Sequence, residues 1–260
     1  MSECGLRRSS RSGGKCDCEM KIIRTAESRG CDRAAADIVL GQMRSKADSV
    51  IALSTGRTTA GIHALVSEDF KASALDSSRM TFIGIDEVTG IEDTNPWACK
   101  AKLKREIIDN LDLPESGFMI LPTEVGNISK LSREFLSELD SRGGIDLMIL
   151  GLGENGHIGF NQPGTPFDSS IHLSTMDSDL ERRIKEDCGF GDSVELGGIT
   201  IGIKDIMAAK KIVLVVKGAL KADIVEKAVK GPVTEQVPAS ILQTHPDCVV
   251  LGDEDALSNI

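Results

Sequence analysis

Three short segments of the chain carry side chains suited to chemistry. The first, Ser54-Thr55-Gly56-Arg57-Thr58-Thr59, offers hydroxyls, a flexible glycine and a cation just ahead of a helical stretch. Backbone N–H groups at such a turn, with the positive end of a helix behind them, hold a phosphate or a carboxylate. The Gly-x-x-x-x-Gly-Lys spacing of a nucleotide P-loop is missing, as is a Gly-x-Gly-x-x-Gly behind the first strand. A sugar phosphate therefore fits better than a nucleotide. The second segment is Asp86-Glu87, directly after an apolar run. Partial burial at the mouth of a sheet raises a carboxylate toward the range where it accepts protons well. Side chains alternate along a strand, so only one of the pair needs to face a pocket, and the sequence does not choose which.

The third segment, 151–164, sets five glycines around His157, with Asn155, Gly156, Asn161 and Gln162 beside it. Glycines permit close backbone approach, and a histidine there can shuttle a proton on a sugar oxygen near neutral pH. Each segment also has a plainer reading: a turn with a helix cap, a carboxylate capping a helix, a histidine that pins a loop. His63 is expected to pack or face solvent, and His172 and His245 to be structural or to rim the pocket. The four histidines form no His-x-His or His-x-x-x-His pair, so no metal is expected. Lys217 and Lys221 flank Gly218 at the end of another apolar run. A lysine there can neutralise a phosphate held by residues 54–59; Lys221 reads equally as an ordinary solvent-facing lysine, and Lys217 more readily so.

These segments need a scaffold, and its pattern is legible. Apolar runs at 49–53, 80–85, 145–152, 212–216 and 248–251 read as strands, with a further apolar segment at 198–203. Helical spacing covers 21–47, 60–70, 97–111, 133–141 and 221–230, with short helices at 206–209 and 238–242. Glu181 to Lys185 read as a solvated helix face. Strands alternating with amphipathic helices imply an α/β fold: a three-layer αβα sandwich around a mostly parallel, Rossmann-like sheet. Ligands of such sheets bind at the carboxyl ends of the strands, where all three segments fall.

Composition narrows the function classes. The chain has 260 residues, a net charge of -10 and no tyrosine, with one Trp and seven Phe. Acidic balance and scarce aromatics exclude a dedicated nucleic-acid binder. No apolar run reaches the ~18 residues that cross a membrane. Seven cysteines, an odd number, fit reduced thiols and a cytoplasmic location better than a disulfide framework. Residues 1–20 are rich in Arg, Ser, Gly and Cys and read as a flexible basic tail, leaving 21–260 as a single domain. Cys16-Asp17-Cys18 falls outside the usual metal-ligand spacings.

Taken together, the Ser-Thr-Gly-Arg-Thr-Thr loop, Phe-Ile-Gly-Ile-Asp-Glu at 82–87 and Leu-Gly-Leu-Gly-Glu-Asn-Gly-His-Ile-Gly-Phe-Asn-Gln-Pro-Gly at 150–164 resemble the glucosamine-6-phosphate deaminase/isomerase family. The resemblance spans about residues 25–252. The stretches 172–177, 197–205 and 238–240 look most like its galactosamine-6-phosphate isomerase branch, and 6-phosphogluconolactonases share the fold more distantly. The resemblance implies a cofactor-free reaction on a small phosphorylated amino sugar, giving a ketohexose 6-phosphate and ammonia. It implies that Asp86 is the base moving a proton between C2 and C1, and that His157 opens the pyranose ring. Asn155 would orient the histidine or the substrate amine. Ser54, Thr55, Gly56, Arg57, Thr58, Glu87, Gly156 and Lys221 match substrate- or phosphate-binding positions. Gln162 departs from the family's usual Glu: it keeps an oxygen that accepts hydrogen bonds but cannot ionise. Lactone hydrolysis and a silent sugar-phosphate sensor stay open as alternatives. The basic residues of allosterically regulated hexamers are not seen, which favours a monomer or small homo-oligomer.

Overall fold

Branched apolar residues dominate the strand-forming runs of this chain, and their alternation decides which layer each side chain joins. The computed structural model describes residues 20–176, 178–191 and 193–260, so the expected basic tail, Met20 apart, lies outside the described residues. In chain order the elements are β1 (Lys21–Thr25), α1 (Ser28–Ser45), β2 (Val50–Leu53), α2 (Ala60–Lys71), β3 (Thr81–Gly84) and β4 (Asp86–Thr89). There follow α3 (Cys99–Glu106), β5 (Phe118–Ile120), α4 (Ile128–Ser141), β6 (Leu147–Gly151), β7 (His172–Ser174) and α5 (Ser178–Cys188). The chain closes with β8 (Gly197–Thr200), α6 (Ile203–Ile206), β9 (Ile212–Val216), α7 (Ala222–Lys230) and β10 (Cys248–Asp253).

Among the described residues, seven strands form a parallel sheet in the order β1-β10-β9-β6-β2-β3-β5. Ile51, Leu53, Ile149 and Val213 pack on one face against Ala35 and Val39 of α1 and Ile62 and Val66 of α2. The intervening residues Ala52, Met148, Leu150 and Leu214 pack on the other, against Phe135 and Leu139 of α4 and Val225 and Ala228 of α7. This is the expected αβα sandwich. Each fully buried Leu, Ile or Val contributes about 1.5–3 kcal/mol. A parallel sheet covered on both faces is why its strands read as continuous apolar runs. No helix among the described residues is long and apolar enough to cross a membrane.

The structure departs from the sequence reading at several elements. The stretch 21–47 is not one helix but β1, a turn at Glu27, and α1. As an outer strand, half exposed, β1 carries only Ile22 and Ile23 as large apolar residues, too few to declare itself. The three-residue β5 is similarly weak. Helix α4 begins at Ile128 rather than at 133, because the Asn127 side chain accepts from the Lys130 N–H at 3.0 Å and caps it. Helix α6 covers 203–206 rather than 206–209. A three-stranded antiparallel sheet, β4-β8-β7, was not foreseen; it turns Asp86-Glu87 from a loop into a strand.

Candidate active site

Strand order brings the chemical segments together. The 54–59 loop leaves β2, Asp86 follows β3, the glycine-rich segment leaves β6 and the Lys217–Lys221 turn leaves β9. These four strands are consecutive in the sheet, as β9-β6-β2-β3. After β2 the chain moves to β3 on one side; after β6 it moves to β9 on the other. Such a reversal opens a crevice beyond the carboxyl ends of the strands.

One end of the crevice gathers hydroxyls and cations of the kind that suit an anion. Ser54 is buried, with its hydroxyl donating to the Ile149 carbonyl at 3.1 Å. Thr59 donates to the Ser54 carbonyl at 2.9 Å, closing the loop on itself ahead of α2. Gly56 and Arg57 are exposed at its tip, and Thr58 is half-buried. The Lys217 ammonium pairs with Asp32 of α1 and donates to the Thr58 carbonyl at 2.6 Å, so it braces the loop from behind. Lys221 is half-buried, 3.9 Å from Glu154. Burial lowers its pKa, Glu154 opposes that, and the neighbouring Arg57 charge lowers it further. Two neighbouring cations with weak local neutralisation suit a multiply charged anion.

The structure separates the two carboxylates. Glu87 is fully buried and accepts backbone N–H bonds from Val88 at 2.7 Å, Cys99 at 2.7 Å and Lys100 at 2.8 Å. It caps the amino end of α3 from a distance, satisfying donors that a helix leaves orphaned. Its oxygens are thus engaged by the scaffold. Burial raises its pKa and those three N–H groups oppose the rise. Asp86 is also buried, but its Oδ1 has no hydrogen-bond partner among the described residues. Burial pushes its pKa up to about 7; the Cys99 thiol hydrogen bond opposes this, Glu87 adds to it and Lys102 reduces it. A carboxylate poised near neutrality with an unspent oxygen suits a general base.

Beyond β6 the backbone folds tightly. A Cβ at Gly153 would sit 2.3 Å from the His157 ring, so only glycine lets the imidazole fold back over this turn. Gly159 adopts φ +56°, and a Cβ there would meet Thr200 Oγ1 at 2.8 Å and Asp86 Oδ2 at 3.6 Å. The histidine loop therefore lies against the Asp86 carboxylate. Gly156 is buried in the turn, and its carbonyl accepts from the Ala239 N–H at 3.0 Å.

Hydrogen-bond direction fixes the state of the imidazole. The Asn155 Oδ1 accepts from the His157 backbone N–H at 3.1 Å and lies 2.8 Å from His157 Nδ1. That oxygen can only accept, so Nδ1 carries a proton, and in the neutral ring the lone pair is on Nε2. Asn155 Nδ2 in turn donates to Gln162 Oε1 at 3.0 Å. Gln162 thus ends an uncharged hydrogen-bond chain that runs through Asn155 to the histidine. Among the described residues, no three His, Cys, Asp or Glu side chains gather in a way that could hold a metal ion.

Sequence and fold both match known proteins. Residues 26–251 match the model of the family described as glucosamine-6-phosphate isomerases/6-phosphogluconolactonase. The chain belongs to this family. It is 35% identical over 240 residues to a glucosamine-6-phosphate deaminase of Geobacillus sp. (strain WCH70), covering 92% of this chain and 95% of the relative. A Clostridium botulinum (strain Loch Maree / Type A3) glucosamine-6-phosphate deaminase is 34% identical, over 93% of this chain and 99% of its own. A solved monomeric glucosamine-6-phosphate deaminase superposes with a TM-score of 0.85 at 30% identity, covering 93% of this chain and all of that one. The 6-phosphogluconolactonase of Trypanosoma brucei reaches 0.75 at 14% identity, over 93% and 99% of the two chains, a likeness of fold.

Within this family frame the remaining histidines fall into place. His245 is buried, with Nε2 2.8 Å from the Ala209 carbonyl and Nδ1 accepting from the Asp247 N–H at 3.1 Å. His63 is buried, 2.8 Å from Glu106, and His172 rims a cleft that Gln162 also lines. Cys99, Thr200 and Asp32 were not singled out from the sequence. Each lies on an element whose partners are distant in the chain, and only the fold sets them behind the crevice.

Proposed function

We propose that this member of the glucosamine-6-phosphate isomerase family converts glucosamine 6-phosphate or galactosamine 6-phosphate to a ketohexose 6-phosphate with release of ammonia. The observation that carries this reading is near-full-length likeness to deaminases, at 30–35% identity, in a chain whose histidine loop lies, at Gly159, against the Asp86 carboxylate. The substrate phosphate sits on the 54–59 loop, between Arg57 and Lys221. His157, held as the Nδ1–H tautomer by Asn155, moves a proton between the anomeric hydroxyl and the ring oxygen through Nε2, opening the pyranose. Asp86, ionised, removes the C2 proton, which the adjacent carbonyl or imine has acidified, so the reaction calls for no cofactor. The proton is returned at C1 of the enolamine; the resulting imine takes up water and ammonia leaves. We assign the chemistry to residues 21–260 acting as one domain, in a cytoplasmic monomer or small homo-oligomer. Lactone hydrolysis has behind it the shared fold and a family description that names both activities, whereas the relatives at 30–35% identity reported above are deaminases.

The test is ammonia and ketose 6-phosphate release from both amino sugar phosphates by the wild-type, Asp86→Asn and Gln162→Glu proteins. Stoichiometric ammonia from wild type, abolished in Asp86→Asn, is the expected result, and the faster substrate assigns the C4 configuration. Ammonia from Gln162→Glu alone would mean a scaffold silenced at one residue. Silence from folded wild type and Gln162→Glu alike would overturn the reading.

A further inference from the structure

We propose that Lys217, held by Asp32, is a positioning residue that sets the 54–59 loop at a fixed distance from the turn carrying Lys221. The inference rests on the reading of that loop as the site of the substrate's phosphate. Lys217 and Lys221 both follow β9, yet the fold spends them differently. The Lys217 side chain is 13% exposed, little for a lysine, and its ammonium pairs with Asp32 of α1, itself 17% exposed. The same ammonium donates to the Thr58 carbonyl at 2.6 Å. Its charge is thus matched inside the protein, and its donors point at the scaffold. Lys221 is paired more loosely, 3.9 Å from the largely exposed Glu154, and so remains available to an anion.

Both ends of this strut are anchored. Asp32 Oδ2 lies against Gly61 in the first turn of α2, where a Cβ would collide with the carboxylate, so the acid packs on the helix that follows the loop. At the other end Gly218 adopts φ +81°, and its N–H donates to both Asp253 oxygens at 2.9 and 3.0 Å. Asp253 closes β10 and is 3% exposed. The Gly218 carbonyl in turn accepts from the Lys221 N–H at 3.0 Å. Arg57 precedes Thr58 directly, so the contact at the Thr58 carbonyl fixes how far the Arg57 side of the site stands from the Lys221 side. A receptor whose parts are already held at the right separation loses less freedom when its ligand arrives. A lysine that only adds positive charge needs neither the half-buried acid nor the carbonyl contact.

The experiment measures Kd for inorganic phosphate by titration calorimetry, with KM and kcat for ammonia release, in wild type, Lys217→Met, Asp32→Asn and the double variant. Met keeps the apolar stem and loses the charge and donors, while Asn keeps the shape of the acid. Lys217→Met should raise Kd and KM roughly tenfold with kcat within about twofold of wild type, the split expected when binding alone is lost. Asp32→Asn should raise both constants by about three- to tenfold, and the double variant should be no worse than Lys217→Met, because the two side chains act through one contact. Tighter phosphate binding by Asp32→Asn would mean that Lys217 acts by its charge, and would overturn the proposal. So would wild-type Kd and KM in folded variants, or a fall in kcat with KM unmoved. Should Lys217→Met not fold, Asp32→Asn, which leaves the lysine in place, carries the same comparison. A wild type that binds no phosphate would remove the phosphate site and this inference together. One that binds phosphate without releasing ammonia would remove the deaminase reading and leave Kd to decide this inference alone.

Discussion

Replacing Asp86 by Asn should abolish turnover and stabilise the fold, increasingly so as pH rises. In the native state Asp86 is 5% exposed and its pKa is raised from 3.8 to about 7, chiefly by burial. In the unfolded chain it titrates near 3.9. Native protein therefore holds this proton more tightly than unfolded protein. The stabilisation from holding it is complete below the unfolded pKa, declines as pH rises, and is gone above the folded pKa of about 7. A difference of about three pH units corresponds to on the order of 4 kcal/mol, an ionised buried carboxylate being the state that costs. Between pH 5 and pH 8 about two pH units of that window are traversed, so wild type loses about 3 kcal/mol relative to a neutral Asn. Trp97 is the only tryptophan and lies near α3, which makes its fluorescence a local probe of urea unfolding. With a urea slope of roughly 2–3 kcal/mol/M, the gap between the two midpoints should widen by about 1 M from pH 5 to pH 8. Other titrating groups act on both proteins and cancel in the difference. A gap that does not change with pH, or that closes as pH rises, would refute the argument that burial sets the proton affinity of Asp86. Such an outcome would also weaken its placement as a base poised at neutrality.

Three further predictions follow from the site. Asn155→Ala removes the acceptor that fixes the His157 tautomer, so kcat should fall roughly 10²-fold with KM nearly unchanged; a rise in KM instead would mean that Asn155 contacts substrate. Lys221→Ala should raise KM for the phosphorylated amino sugar by about 10–100-fold, the loss of one charge-assisted contact, while kcat holds. Steady-state kinetics check both, and an unchanged KM would remove Lys221 from the phosphate site. Glu87→Ala strands two N–H groups at the start of α3 and the Val88 N–H of β4, and should cost about 2–4 kcal/mol. Calorimetry should show the melting temperature falling by roughly 5–15 °C, with Glu87→Gln losing less because one accepting oxygen remains.

The residues by themselves determined the fold class and the three segments that meet in the crevice. Runs such as Ile-Val-Leu-Val-Val at 212–216 have no other stable place than a sheet covered on both faces, and glycine, hydroxyl and histidine clusters after such runs mark strand ends. Strand order was not legible, because it depends on which runs pair over long stretches of chain, Ile51 with Leu147 and Met148 with Ile212; yet that order alone makes β9, β6, β2 and β3 neighbours. Weak elements were lost for a local reason: β1 and β5 are short and half-exposed, so their apolar signal is thin. The choice between Asp86 and Glu87 was likewise undetermined by pattern. Both are buried carboxylates, adjacent on one strand. The tertiary structure sets them apart by placing the amino end of α3 against Glu87, whose charge those N–H groups consume, and leaving Asp86 with an unspent oxygen. Proton affinity depends on what surrounds a group in three dimensions, and that environment comes from elements distant in sequence.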